Sequence, residues 1–99
     1  MTFEGHVRRA LDSLPPNLAA ALENVAIVVE DEHPDDPDLL GLFEQEEWLP
    51  AKVTIYRVPL EDSFRDPDEL EREIRITVLH ELAHYFGLDE EQLGELGYG

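Results

Sequence analysis

His80-Glu81-Leu82-Ala83-His84 joins two imidazoles and a carboxylate at a spacing with chemical meaning. On a helix of 3.6 residues per turn, positions i and i+4 project from one face about a turn apart, so His80 and His84 can reach one divalent ion. Zinc suits such a pair, because neutral imidazole nitrogen is a preferred ligand and a catalytic zinc keeps one position for water. Glu81 follows the first histidine and is placed to take a proton from that water as general base. Zinc lowers the pKa of water from 15.7 towards ~7, which makes the transfer feasible near neutrality. Shuffling the composition produces the five-residue pattern with a chance of roughly 0.03, and with glycine at position 87 roughly 0.002. The competing reading, two partly exposed histidines with no shared task, is set aside on those odds.

Two histidines need a third protein ligand. Asp89, Glu90 and Glu91 follow Gly87, and glycine there lets the backbone reverse and carry them back beneath the metal. Asp89 is the better cap for a following helix, so Glu90 is the expected ligand and Asp89 the fallback.

The motif needs a helix, and Asp66-Pro67-Asp68-Glu69 supplies its start: Asp66 to cap, Pro67 for the first position and Glu69 to complete a capping box. This helix is expected to run to Phe86 and end at Gly87. A last short helix follows, with Asp89 as cap and Leu93 and Leu96 on its apolar side. At the other end, Phe3, Val7, Ala10, Leu11 and Leu14 recur at helical spacing behind Thr2, a natural N-cap. Pro15-Pro16 ends that helix, and Pro16 opens a second through Leu18, Ala21 and Leu22.

Val25 to Val29 is a β-branched run that reads as a strand buried on both faces. Glu30 to Asp38 is loop by composition, Leu39 to Phe43 a brief apolar patch, and Glu44 to Pro50 loop again. Val53, Ile55 and Tyr56 mark a second strand ending near Pro59, with Val53, Ile55 and Arg57 on one face and Thr54 and Tyr56 on the other.

Ninety-nine residues make one expected domain, 1–99. The charge of −17 repels phosphate backbones and anionic lipid, so neither nucleic acid nor a membrane is the expected partner. There is no cysteine for a disulfide or thiolate site, and no apolar run approaches the ~20 residues that span a bilayer. With no signal peptide at Met1-Thr2-Phe3-Glu4, the expectation is an acidic cytoplasmic monomer.

His80-Glu81-x-x-His84-x-x-Gly87-x-x-Glu90 resembles the zincin signature H-E-x-x-H-x-x-G-x-x-(H/D). The chain is further similar to a small bacterial zincin-like metallopeptidase family. The flanking likeness lies in Leu11-Asp12-Ser13-Leu14-Pro15-Pro16, the stretch from Glu23 to Glu32, Leu40-Gly41-Leu42-Phe43, Ile55-Tyr56-Arg57, the stretch from His84 to Asp89 and Glu95-Leu96-Gly97-Tyr98. The resemblance implies a minimal zincin-like α+β fold, a small sheet packed against N-terminal helices and a long zinc-binding helix. It implies Zn2+ held by His80, His84 and residue 90, with Glu81 as base, and a peptide or protein substrate. The family more usually has aspartate at 90; glutamate adds one methylene and shifts the carboxylate by about a C–C bond length. Met1 is the sole methionine, so the methionine turn of larger metzincins is absent. Family likeness also suggests that Val53 to Tyr56 accepts an extended peptide by edge pairing. The alternative function is a metal-binding structural or interaction module that does no chemistry.

Other residues carry weaker signals. His33 with Asp35, Asp36 and Asp38 could form a second cation site, although a solvated loop is the simpler reading. His6 is expected to be exposed. Thr77 either supports the metal face or fills space, Tyr56 and Tyr98 are candidate oxyanion donors, and Trp48 either lines a cleft or covers the sheet.

Overall fold

The computed structural model describes residues 2–86 and residue 91, apart from the side chains at positions 17, 21 and 84–86. Helix α1 (Phe3–Asp12) starts as expected: Gly5 N–H donates to the Thr2 hydroxyl oxygen at 3.1 Å. Its apolar spacing turns Phe3, Val7 and Ala10 to one side, where all three are buried. Pro16 opens α2 (Pro16–Ala21), and a single 3-10 turn, Leu22–Asn24, leads into the sheet.

Three strands follow: β1 (Val25–Glu30), β2 (Gly41–Glu44) and β3 (Ala51–Tyr56), in the order β1-β3-β2. β1 runs parallel to β3, with Val25 opposite Ala51 and Val29 opposite Ile55. β2 runs antiparallel to β3, with Gly41 opposite Ile55 and Phe43 opposite Val53. Two further helices, α3 (Arg57–Ser63) and α4 (Pro67–Phe86), complete the mixed α+β fold.

Several expectations change here. Among the described residues β1 pairs only with β3, and its Val25, Ile27 and Val29 face joins the core, while Ala26 and Glu30 are exposed. The strand buried on both faces is β3, the central one, where Val53, Thr54, Ile55 and Tyr56 are all enclosed. Being paired on both sides, β3 has no edge to offer a peptide. The end of the Leu39 to Phe43 apolar patch, together with Glu44 from the expected loop, forms β2, too short a strand to show a period. Arg57 does not continue β3 but starts α3, with Pro59 in the first turn, where a missing N–H leaves no helical bond unmade. Asp31 fastens this turn: its carbonyl accepts from Val58 N–H at 2.9 Å, and its carboxylate takes Arg57 Nη2 at 3.0 Å.

The start of α4 is as read. Asp66 Oδ2 accepts from Glu69 N–H at 3.0 Å, although no return bond from the Glu69 side chain forms among the described residues. Leu70, Ile74, Val78 and Leu82, one turn apart, press α4 into the core with α1 and β3. The expected helix end at Gly87 and the short helix with Leu93 and Leu96 lie outside the described residues.

His6 is not exposed. It lies between α1 and α4 with its side chain only 13% accessible, and Nδ1 is 2.9 Å from Glu71 Oε2. Arg9 Nε, 3.3 Å from Glu71 Oε1, completes the clasp. The carboxylate that recruits His6 comes from a helix 65 positions later in the chain, beyond the reach of any local pattern.

Candidate active site

The core stripe of α4 leaves a second stripe free to face a cleft. Glu73, Ile76, Thr77, His80 and Glu81 recur at the three- and four-residue intervals of one helix face, and all line a cleft of about 490 Å3. Its opposite wall is Asp36, Asp38, Leu39, Leu40 and Gly41, the end of the acidic loop and the start of β2. The residues with the strongest chemical pattern in the sequence therefore meet the largest concentration of acids in the loop.

β2 comes very close to α4 here, and glycine is what permits it. A Cβ on Gly41 would meet Thr77 Cγ2 at 2.6 Å, the Thr54 carbonyl oxygen at 3.3 Å and Glu81 Cγ at 3.4 Å. Gly41 is thus the spacer that seats the Glu81 side chain against the strand. Thr77 packs in this seam and also borders the cleft, which agrees with its reading as a packing residue.

His80 is half-buried, with its Nε2 enclosed by protein, and Glu81 beside it is half-buried at the cleft wall. Position 84 lies in the same unbroken helix, one turn beyond His80. The His84 side chain and Glu90, with the fallback Asp89, lie outside the described residues. Residue 91 is described and is exposed. The donor chemistry on the described side fits zinc: an imidazole nitrogen shielded from bulk water, next to a carboxylate facing a solvent-filled cleft. Among the described residues no three His, Asp or Glu side chains converge on a metal position. That includes His33, Asp35, Asp36 and Asp38. The His33 Nδ1 instead accepts from Asp35 N–H at 3.1 Å, and its ring stands edge-on to Tyr56 at 5.8 Å.

Tyr56 is enclosed in β3 and does not line the cleft. Burial, and then the charges of Glu30 and Glu44, push its phenol above the ordinary tyrosine range. Tyr98 lies outside the described residues. Trp48 neither lines a cleft nor covers the sheet; it stands 90% exposed at the β2–β3 turn beside Leu49, 60% exposed. Sequence reasoning passed over Asp36, Asp38 and Glu73 as parts of this site. Glu73, two helical turns before His80, carried a legible signal; the two aspartates did not.

Among protein-family models, the one described as zincin-like metallopeptidase matches residues 22–99, all but the segment carrying α1 and α2. A search of curated protein sequences gives no match.

Proposed function

The chain belongs to the zincin-like metallopeptidase family, and from that premise we propose that it hydrolyses peptide bonds in a protein or peptide substrate. In this reading His80 and His84 hold Zn2+ from one face of α4, and Glu90 closes the protein ligand set. Zinc, when bound, supplies Lewis acidity that polarises a carbonyl and acidifies water. Glu81 takes the water proton on its carboxylate and returns it to the departing amine, so the bond is cut without net change in the protein. The Gly41 seam holds that carboxylate at the cleft wall, which fixes where the proton is received.

An extended substrate needs a sheet edge near Glu81. β3 cannot provide one, but β2 pairs only with β3 among the described residues and runs out of the cleft wall at Gly41. A peptide adding to β2 would therefore pass Glu81. The observation that carries the proposal is the placement of His80 and Glu81 together on the cleft face of an uninterrupted twenty-residue helix.

The test measures bound zinc and peptide cleavage for the wild-type protein, His80→Ala, Glu81→Gln and Glu90→Ala. Glu81→Gln should keep its zinc and lose turnover by about 100-fold or more, the usual weight of a general base. His80→Ala should lose the metal. Equal turnover by wild type and Glu81→Gln would overturn the mechanism, and zinc binding with no cleavage of any peptide would favour a structural module. Retention of zinc by Glu90→Ala would move the third ligand to Asp89.

A further inference from the structure

Among the described residues the sheet ends in β2 on one side and in β1 on the other. β1 pairs with β3 residue for residue, from Val25 opposite Ala51 to Glu30 opposite Tyr56, so no bulge interrupts it. In a parallel pair, alternate residues turn their N–H and C=O away from the neighbouring strand. No other described segment sends a hydrogen bond to the backbone of Val25–Glu30 on that outer side. Natural sheets blunt such an edge with lysine, proline, a bulge or a very short strand. β1 has none of these: it is six residues long, five of them apolar, in regular register. Ala26 is exposed and Val28 half-buried, so side chains as well as backbone are open to a further strand.

The start of this edge opens onto a groove of about 520 Å3, lined by Val25, Ala26, Leu49, Pro50 and Ala51 together with Glu23. Leu49 and its neighbour Trp48 are the large apolar side chains left exposed among the described residues. An indole brings more apolar area than other side chains and is enriched among the anchors of protein interfaces. An unpaired strand edge and an exposed indole, from separate segments, thus stand at the same end of the sheet. Gly41 and the cleft with Glu81 lie at the far end of β2, so this surface is distinct from the candidate active site.

Charge decides what fits. Glu23 precedes β1, and Glu30 and Glu32 close it, in a chain of net charge −17. A second copy suits this edge badly. Two-fold antiparallel pairing over the whole strand sets Glu23 of each copy opposite Glu32 of the other, and like charges directly opposite destabilise a sheet. We propose that the β1 edge and the groove beside Leu49 dock an extended segment of a basic protein partner, an apolar core with lysine or arginine at both ends. The segment adds to β1 as a strand, main chain to main chain, which supplies affinity without a preformed pocket. Its basic ends meet Glu23 and Glu30, and Trp48 and Leu49 cover its apolar side chains at the groove. This docking needs no catalytic step and stands apart from the peptidase reading.

Trp48 is the sole tryptophan and therefore reports on its own surroundings. The full chain, carrying Glu81→Gln so that no probe is cut, is titrated with tryptophan-free peptides. These hold a Val-Thr-Val-Thr-Val core between two lysines, or two glutamates, at each end. The lysine peptide should move Trp48 emission to shorter wavelength. It should bind about tenfold more tightly than the glutamate peptide at low salt, an advantage that shrinks as salt rises. Trp48→Ala, an exposed site where folding is not at stake, should weaken binding of a dye-labelled lysine peptide about tenfold. Amide hydrogen exchange should show Val25–Glu30 gaining protection on binding while Gly41–Glu44 does not. Equal binding of the two peptides, or protection confined to Gly41–Glu44, overturns the proposal. So does full protection of the β1 amides in the free monomer, which would mean that the chain covers its own edge. A concentration-dependent dimer in sedimentation that protects β1 would hand the edge to a second copy and overturn it equally.

Discussion

Gly41 and Thr77 close the seam between β2 and α4 so tightly that a Cβ at position 41 would stand 2.6 Å from Thr77 Cγ2. Threonine on a helix is stiff at χ1, and the next obstacle is the Thr54 carbonyl oxygen, so neither neighbour yields easily. Gly41→Ala should cost about 1–3 kcal/mol, the range for overpacking a close-packed seam, read from urea unfolding. Thr77→Ser removes the obstructing methyl and should recover part of that loss in the double variant. Additive losses would show that the strain lies elsewhere. Because Glu81 Cγ would lie 3.4 Å from the same Cβ, Gly41→Ala should also lower turnover more than zinc content.

The clasp on Glu71 joins α1, which precedes the family match, to the helix that carries the site. His6→Ala leaves a largely buried carboxylate short of a partner and should cost about 1–3 kcal/mol. Arg9, 60% exposed, should matter less, under about 1 kcal/mol on Arg9→Ala. Denaturant titration of both variants decides the order. Equal small losses would mean that water serves Glu71 as well as His6 does.

Tyr56 ties stability to alkaline pH. Its phenol is held above the usual range in the folded protein, while the unfolded chain gives up that proton near the ordinary value of about 10. The contribution is therefore complete below about pH 10 and is lost as pH rises through the higher folded value. Tyr56→Phe cannot ionise, so its unfolding free energy should fall less steeply than wild type above about pH 10. Parallel curves would refute the assignment.

How much of this was legible in advance depended on distance along the chain. The capped starts of α1 and α4 and the buried stripes behind them were readable, because capping and helical period are written within a few neighbouring residues. α3 was hidden, since Val58-Pro59 reads as extended chain and only the contact with Asp31 shows why it turns helical. β1 and β3 were both found as strands, yet the one read as buried on both faces was β1, and the one that is so buried is β3. A β-branched run declares a strand but not whether that strand has one neighbour or two.

The same division runs through the site. By itself the sequence determined which side chains share a helix face and which atoms can take a proton or hold a metal, since spacing on an α-helix is a local property. It also determined the family, through a pattern spread over residues 22–99. Tertiary structure alone decided that β2 and the acidic loop form the opposite wall, that Gly41 must have no side chain, and that His6 answers Glu71. Those are meetings between segments far apart in the chain, and packing chooses such partners by shape and burial rather than by their order along the backbone.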